Sequence, residues 1–367
     1  MLALLIWTAL QDPPEKAAVE KGVKHLKSKV SAGGWTRADK DPDLDAPQTP
    51  AREEAHAELA LWTLAAAGVS DKDPALQKLL KLCADRPRWQ TYNVALLAMA
   101  LHRLDANAHR DLLAQCGQFF LDTQCKSGHW SYGSGYKSAR RKVPAGSIKL
   151  KKGTLPTGME LPNAGDFSNS QFAALGARAC IEGGVEFPDE MIRAAREAWV
   201  RGQLEDGSWG YRSEQFAPKG YATMTYGGVG ATAFYSKCLK ESVAENETVA
   251  RGLDWISKNF SVETHPGFLR QPEGKIAWFY YQLYAIERAG DSLGLDKFGE
   301  HDWYAKGCER LVKLQKPGGA WTDPSTESEL AATCFAVLFL ARATPPLEVK
   351  PGSRPRPGQI ETRDKDK

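Results

Sequence analysis

The chain has 367 residues, of which 42% are hydrophobic and 25% charged, so it is long enough to bury a large core as one domain or two. Its formal net charge of +3 is too small to indicate nucleic acid as the main partner. The seven cysteines include no Cys-x-x-Cys pair and most stand in apolar stretches, which predicts small buried side chains and not a disulfide framework or a metal site.

The first feature in chain order is an apolar run over residues 2–10, which stops at Gln11-Asp12-Pro13-Pro14. This run is too short to cross a bilayer, so the sequence does not predict an integral membrane protein. It is typical of the hydrophobic part of an export signal, with Ala9 near a cleavage point, although no Lys or Arg precedes it. We therefore predict an export signal over residues 1–11 and a periplasmic or secreted protein. The alternatives are an N-terminal tail packed on the domain and a cytoplasmic location.

Related turns recur along the chain, each with a helix end, small residues including glycine, and then tryptophan. The clear copies are SAGGWTR (31–37), KSGHWSYG (126–133), EDGSWGYR (205–212) and KPGGAWTD (316–323). THPGFLR (264–270) is a weaker copy with Phe in place of Trp, and RPRWQTY (86–92) is a reduced copy. Six related segments at uneven spacing predict an internal repeat with insertions in its loops.

Each turn follows an amphipathic helical pattern, such as MIRAAREAWVRGQ before Trp209, and precedes a second helix that is richer in Ala and Gly. Several of these second helices are apolar on nearly every face, which predicts burial on more than one side. They cover residues 55–68, 94–104, 170–184, 229–239, 276–290 and 330–342. Strand patterns are nearly absent.

The pattern therefore predicts an all-α domain over residues 12–343, with about six pairs of an outer and an inner helix. An open solenoid normally ends in repeats with a polar outer face. Here the last repeat, residues 308–342, is as apolar as the middle ones, which favours a closed α/α toroid.

The segment Gln203-Leu-Glu-Asp-Gly-Ser-Trp209 resembles the QW motif, Q-x-x-[DG]-G-x-W, of the terpenoid cyclase and protein prenyltransferase toroid superfamily, which includes squalene–hopene cyclase. The segment 315–321 matches the same pattern, and 124–130 matches it with Ser127 at the acidic position. The resemblance implies an α/α toroid in which the motif is structural, since the Gln amide can bond free backbone groups at a helix end and stack on the Trp ring. The motif residues are Gln124, Trp130, Gln203, Gly207, Trp209, Gln315, Gly319 and Trp321.

The catalytic motifs that the resemblance implies are incomplete. The nearest segment to D-x-D-D-T-A is Asp43-Leu-Asp45-Ala-Pro-Gln-Thr49, in which Asp45 takes the position of the acid but Ala46 replaces the last Asp. Neither a D-D-x-x-D run for magnesium diphosphate nor the D-x-C of a prenyltransferase zinc site occurs, so we predict no metal and no cofactor. The alternating aspartates over 39–45 lack the Gly and Glu of a calcium loop and are typical of a solvated acidic loop.

In a toroid the inner helices begin at one rim, so the residues there surround the central cavity. At these positions the sequence has polar and aromatic side chains, and Asp166 joins Asp45 as a candidate catalytic acid. The candidate ligand-binding residues are His56, Tyr92, Asn169, Tyr226, Trp278, Tyr280, Glu327 and Glu329. The structural alternative is that the carboxylates cap helix N-termini and the aromatic rings belong to the core. Together, facing carboxylates and aromatic rings are typical of a site for a sugar or a polar-headed ligand.

Two further segments have a distinctive composition. The insertion at residues 131–165 carries seven Lys and Arg with no acid before Glu160, which predicts either a basic arm for an anionic partner or a solvated loop. Residues 344–367 contain five prolines and mixed charge, which predicts a disordered tail or a linker.

The sequence thus predicts a non-catalytic toroid that binds an isoprenoid or a glycan in its cavity, or else a protein partner. One alternative is a divergent terpenoid cyclase or prenyltransferase that uses Asp45 or Asp166 as its acid. The other is a carbohydrate-active α/α-barrel hydrolase or lyase.

Overall fold

The computed structural model describes residues 13–31, 56–85, 90–133, 148–153, 161–212, 219–268, 276–323 and 327–347. Within these ranges the helices alternate along the chain between an outer and an inner layer. The outer helices are α1 (Pro14–Ser31), α3 (Pro74–Asp85), α5 (Arg110–Thr123), α7 (Asp189–Arg201), α9 (Glu247–Asn259) and α11 (Trp303–Leu314). The inner helices are α2 (His56–Ala66), α4 (Thr91–Asp105), α6 (Phe167–Glu182), α8 (Ala222–Cys238), α10 (Phe279–Leu293) and α12 (Glu329–Leu340).

The inner helices form a closed ring. Each one packs against the next inner helix along the chain, and α12 packs against α2. Helix α1 covers α12 from outside, and Gln315, just after α11, donates through Nε2 to Ala18 O of α1 at 2.9 Å. The predicted α/α toroid of six helix pairs is therefore confirmed, and so is its closure.

The burial pattern explains which helices are inside. In α12 every residue from Ala331 to Leu340 except Phe335 is buried, as expected for a helix with neighbours on several sides. The outer helix α9 buries only Val249, Gly252 and Ile256, which lie on one face. Between α10 and α11 the chain forms a small antiparallel hairpin of β1 (Lys297–Phe298) and β2 (His301–Asp302).

Side-chain caps fix where several helices begin. Asp166, Asn246, Asp302 and Ser328 precede α6, α9, α11 and α12, and each side chain accepts from the backbone N–H three residues further on. Such a cap satisfies one of the N–H groups that have no partner in the first turn of a helix.

The segment after α12 closes the end of the ring at which the inner helices terminate. Thr344 donates through its backbone N and Oγ1 to the two carboxylate oxygens of Glu287, at 2.7 and 2.9 Å. Leu347 N donates to Ser292 O at 2.7 Å. Residues 344–347, which the sequence assigns to the tail, thus pack on the helical domain, because the buried Glu287 holds them.

All seven cysteines lie in the described ranges; each is a free thiol and six are buried, as predicted. No helix in the part of the chain that the structure describes is both long and apolar enough to span a bilayer. The export signal predicted for 1–11, the acidic loop with Asp45 and the turns around Trp35 and Trp89 lie outside the described residues. So do 134–147 and 154–160 of the basic insertion, and 348–367.

Candidate functional site

Three turns with the sequence Gln…Gly…Trp, residues 124–130, 203–209 and 315–321, join the repeats. In each, the indole N–H bonds a carbonyl in the last turn of the preceding outer helix: Trp130 to Phe120 O (2.9 Å), Trp209 to Trp199 O (2.9 Å) and Trp321 to Leu311 O (2.8 Å). The Gln amide bonds a carbonyl near the start of the next outer helix: Gln124 to Met191 O (3.0 Å), Gln203 to Thr248 O (2.8 Å) and Gln315 to Ala18 O (2.9 Å). The tryptophans therefore satisfy carbonyls without a partner in the last turn of a helix, and the glutamines tie each turn to the next outer helix, so both have a structural role.

The glycines of these turns allow the close approach of the next repeat. Gly128, Gly207 and Gly319 all have φ near +90°, a conformation that side-chain-bearing residues rarely adopt. A Cβ on Gly207 would lie 2.5 Å from Arg251 O of α9, and one on Gly319 would be closer than 3.0 Å to Lys21 O of α1. Both the backbone conformation and the packing thus require glycine.

The start of each of several inner helices is bonded by the following repeat. The contacts are Thr91 N to Tyr132 O (3.1 Å), Phe167 N to Tyr211 O (2.9 Å) and Ala222 N to Pro266 O (2.9 Å). At α4, α6 and α8 the rim of the ring is therefore formed by the inner-helix N-termini together with the turns of the next repeat.

At the start of α10 the backbone N–H groups donate to the carboxylate of Glu327 and not to a backbone carbonyl of the next repeat. Tyr280 N donates to Glu327 Oε2 at 2.9 Å and Tyr281 N to Oε1 at 2.8 Å, so both carboxylate oxygens cap the helix. Burial, together with the nearby Asp323, raises the pKa of Glu327 to about 8, although the two backbone hydrogen bonds act to lower it. Of the ligand-binding candidates around α10, Tyr280 is buried, whereas Trp278 lies at the surface with a left-handed backbone conformation.

The candidate acid Asp166 also caps a helix. Its Oδ1 accepts from Asn169 N at 2.7 Å, and its Oδ2 accepts from Asn169 Nδ2 at 2.8 Å. Burial raises the pKa of this carboxyl. The Oδ1 atom of Asn169 is buried and has no hydrogen-bond partner among the described residues. The candidate acid Asp166 and the candidate ligand-binding residue Asn169 thus hydrogen-bond each other at the start of α6.

The structure corrects the placement of Glu329 in the cavity. Its carboxylate faces outward to helix α1, where His25 Nε2 lies at 3.2 Å and Lys29 Nζ at 3.1 Å. The first residue of α12 lies on the side of the ring that α1 covers, which explains this direction. The side chain of His56 and all of Asp45 lie outside the described residues.

An aromatic rim, which we define as Tyr92, Tyr132, Tyr211, Tyr221 and Trp278, lies along the mouth of the ring by the starts of α4, α6, α8 and α10. The Tyr132 and Tyr211 hydroxyls hydrogen-bond at 3.0 Å, and the rings of Tyr92 and Tyr132 have centroids 5.9 Å apart. Tyr132 is 47% exposed and Trp278 is 37% exposed, and they are the large hydrophobic side chains that the described surface exposes most. This rim presents the aromatic side chains of Tyr132 and Trp278 to solvent, whereas the hydroxyl of Tyr92 is turned inward to Ser168.

Below the rim, side chains cross the ring axis. Tyr92 OH of α4 donates to Ser168 Oγ of α6 at 2.7 Å, and Ser168 hydrogen-bonds Tyr281 OH of α10 at 3.0 Å. Deeper in the ring, Trp62 Nε1 of α2 donates to Tyr284 OH of α10 at 3.0 Å. Helix α10 is not next to α6 or α2 in the ring, so these contacts fill its centre.

A small, partly open crevice of about 30 Å³ remains between α6, α8 and α10, at the other end of the axis. Its walls include Gln171, Arg178, Tyr226, Gly230, Phe234 and Arg288. Tyr226, predicted at the rim, therefore lies in this crevice, and its ring also packs on Phe298 with centroids 5.5 Å apart.

The sequence interpretation did not select Tyr132, Tyr211 or Arg288. A signal for the tyrosines exists, because both stand two residues after the tryptophan of a repeat turn, in WSY and WGY. Arg288 has no comparable signal, because only the ring closure brings it opposite Gln171.

Comparison with known proteins supports the fold. No protein-family model matches the sequence, and neither does any curated protein. Among solved structures, the apo type II terpene cyclase MstE from Scytonema is similar, with a TM-score of 0.53 and 12% identity over 90% of this chain and 98% of that chain. A possible member of the GH105 family from Salmonella enterica serovar Paratyphi A is similar with a TM-score of 0.54 and 11% identity, over 93% of this chain and 98% of that chain. The chain shares the α/α-toroid fold of these proteins, and toroids of one fold carry different activities.

Proposed function

We propose that this α/α toroid is a non-catalytic binding protein that holds a glycan chain on its aromatic rim. The observation that carries the proposal is the contrast between the two levels of the ring. The axis is crossed by the Tyr92–Ser168–Tyr281 hydrogen bonds, whereas Tyr132 and Trp278 are exposed at the mouth.

The filled axis favours a ligand that lies on the rim over one that is enclosed in the ring. A polyprenyl chain would need an apolar cavity of several hundred Å³ that buries most of its surface. The bonds of Ser168 to Tyr281 and of Trp62 to Tyr284 occupy the depth at which such a chain would lie. The aromatic groups available to a ligand are therefore those of the rim.

The chemistry of the rim suits a sugar chain. The C–H face of a sugar ring packs on an aromatic face, and its hydroxyls exchange hydrogen bonds with phenolic groups. Tyrosine hydroxyls keep their protons at neutral pH, and burial moves the pKa of Tyr211 and of Tyr221 still higher, so both can act as donors. An extended glycan could contact several of these tyrosines in succession.

The engagement of the carboxylates favours binding without cleavage. Glycoside hydrolysis uses a pair of carboxyl groups on either side of the scissile bond. Both oxygens of Asp166 and both oxygens of Glu327 accept hydrogen bonds at helix starts. These carboxylates thus have a structural function in the ring.

A carbohydrate-active enzyme is the second candidate, and one observation favours it. With a pKa of about 8, Glu327 keeps a proton at neutral pH, as a general acid does. This alternative predicts that a bound polysaccharide is shortened, and that Glu327→Gln abolishes the cleavage without abolishing binding.

Export fits a glycan-binding role, and we include it in the proposal on the strength of the apolar run at residues 2–10. Expression of the full chain in a bacterial host, followed by separation of the periplasm from the cytoplasm, tests it. Recovery only from the cytoplasm would contradict export and leave the binding proposal standing.

Affinity electrophoresis tests the binding proposal. The protein is run through native gels that contain a neutral polysaccharide (xylan or glucomannan) or an acidic one (polygalacturonate or alginate). We expect at least one polymer to retard the protein, and Tyr132→Ala and Trp278→Ala to remove the retardation. Trp255→Ala is the matched control, since this half-buried aromatic residue lies on the outer helix α9.

Other results of these experiments would contradict the glycan proposal or favour another function. If no polymer retards the protein, or if the rim variants behave as the wild type does, the glycan proposal is wrong. New reducing ends in the incubated polymer would favour the enzyme. Retention by a protein partner that Tyr132→Ala abolishes would replace the glycan by a protein.

A further inference from the structure

The crevice between α6, α8 and α10 contains a buried cation with no carboxylate within ion-pair distance among the described residues. Arg288 is 5% exposed, and its Nη2 donates to Gln171 Oε1 at 2.9 Å. Its Nη1 is buried and has no hydrogen-bond partner among the described residues, which also place no carboxylate within ion-pair distance of it. The aromatic rings of Phe172 and Tyr284 lie 5.1 and 4.5 Å from its guanidinium carbon. They stabilise the charge in part but accept no strong hydrogen bond.

A buried charge without a partner is costly unless something in the site neutralises it. The other guanidinium of the crevice, Arg178, is already bonded to Glu182 at 2.7 Å. The described walls of the crevice contain no Asp or Glu. Arg288 interacts electrostatically with the buried Glu287 of the same helix, but its Nη1 has no hydrogen-bond acceptor among the described residues.

Gly230 of α8 keeps space open beside this cation. A glycine within a helix lowers its stability relative to alanine, so packing normally explains its presence. Gly227 has such an explanation, because a Cβ there would meet Gln171 Oε1 at 2.5 Å and disturb the acceptor of Arg288. A Cβ on Gly230 would meet no described atom within 4 Å. This glycine therefore preserves empty volume in the crevice.

The remaining walls are apolar and close to the solvent opening. Ala174, Ala231 and Phe234 form one side, and Leu347, held by the hydrogen bond to Ser292 O, forms part of the lip. An occupant with one anionic head and a short apolar tail would match both parts of the crevice.

We propose that this crevice is a binding site for a small monocarboxylate, whose head group accepts from Nη1 of Arg288 and whose short aliphatic tail lies against Ala231 and Phe234. A single negative charge would balance the single unpaired guanidinium, and an ionic hydrogen bond is stronger than a neutral one. The site lies at the opposite end of the axis from the aromatic rim, so it does not depend on the glycan proposal.

Thermal unfolding of the full chain with butyrate and with butyramide tests the site, at matched ionic strength. The two molecules have nearly the same shape, but only butyrate carries the charge. A ligand that binds only the folded state raises Tm, and the increase grows with the logarithm of its concentration above Kd. We expect millimolar butyrate to raise Tm by a few degrees and butyramide to leave it unchanged.

Three variants test whether butyrate raises Tm by binding in the crevice. Arg288→Met removes the donor, and Arg193→Met is its matched control, because Arg193 is an exposed arginine on the outer helix α7. Gly230→Leu fills the crevice from a position where a Cβ is free of clashes, and it replaces glycine by a strong helix former. Gly230→Leu is therefore expected to raise Tm in the absence of ligand and to remove the response to butyrate. Arg193→Met should respond to butyrate as the wild type does.

Two results would overturn the proposal. One is a wild-type Tm that butyrate and butyramide shift equally, which includes no shift by either. The other is an undiminished butyrate response in Gly230→Leu, which would place the carboxylate elsewhere. Because Gly230→Leu is expected to fold, a failure of Arg288→Met to fold leaves the test intact.

Discussion

Gln315, at the end of the last outer helix, donates to Ala18 O of the first outer helix at 2.9 Å, although 297 residues separate them. The same side chain also donates to Gly319 O at 3.1 Å. Gln203 makes the equivalent pair of bonds within the ring, to Gly207 O at 3.0 Å and Thr248 O at 2.8 Å. One repeated contact thus both joins successive repeats and closes the ring.

This relationship predicts the effect of removing either amide. Gln315→Ala and Gln203→Ala each remove two hydrogen bonds, so each should lower the free energy of unfolding by about 1–3 kcal/mol. Only Gln315→Ala should speed hydrogen exchange in α1, because only that variant loosens the first helix from the last repeat. Equal exchange of α1 in the two variants would contradict closure through this contact.

The neighbouring glycines provide a test of backbone strain. Gly319 has φ near +90° and no room for a Cβ, whereas a Cβ on Gly318 would meet no described atom within 4 Å. Gly319→Ala should therefore lower the free energy of unfolding by about 2–4 kcal/mol, from the left-handed backbone and the collision with α1. Gly318→Ala should change it by less than about 1 kcal/mol. Chemical denaturation measures both, and equal effects would argue against this geometry.

The raised pKa of Glu327 leads us to expect that the protein loses stability as pH rises. The pKa of Glu327 is about 8 in the folded protein, against an ordinary value of 4.5 for glutamate. Between these two values the unfolded chain binds fewer protons at this group, so the free energy of unfolding falls as pH increases, by at most about 5 kcal/mol. Glu327→Gln keeps an acceptor for α10 but does not titrate. Denaturation curves from pH 4.5 to 8 should therefore show a flatter pH dependence in the variant, and parallel curves would contradict the prediction.

The lowered pKa of His265 leads us to expect that, in a more acidic range, the protein loses stability as pH falls. Its Nε2 hydrogen-bonds Thr223 Oγ1 at 2.7 Å and its Nδ1 lies 2.9 Å from Ala277 O, while burial lowers its pKa from 6.5 to about 4. The unfolded chain binds the proton first as pH falls, so stability decreases between pH 6.5 and 4, by about 3 kcal/mol. His265→Asn should weaken this acid sensitivity. A wild-type and a variant curve that stay parallel over this range would show that His265 does not titrate there.

The fold could be predicted because the sequence pattern that encodes it repeats along the chain. The recurring Gly and Trp of the turns, and inner helices such as α12 that are apolar on every face, indicate repeats that bury both layers. The equivalence of Gln203 and Gln315 also follows from their matching segments. Local periodicity is enough for these conclusions, because each repeat contacts mainly its neighbours.

The candidate site could be predicted only in part, because the direction of a side chain depends on the ring. Glu329 stands at a helix start, as Asp166 does, yet it faces α1 and not the cavity. The hydrogen bond of Arg288 to Gln171 joins helices that are distant in sequence and not adjacent in the ring, so no local pattern indicates it. The structural alternative for Asp166, a helix cap, follows directly from its place before α6.

Hydrogen exchange of the protein with and without a polysaccharide that retards it tests the central claim most directly. The account predicts that protection from exchange increases at residues 131–133, 211–212 and 276–281, where the aromatic rim is exposed, and does not change in the middle of α6 and α10. Increased protection along the middle of α6 and α10, with none at the rim, would mean that the ligand enters the axis and would contradict binding at the rim.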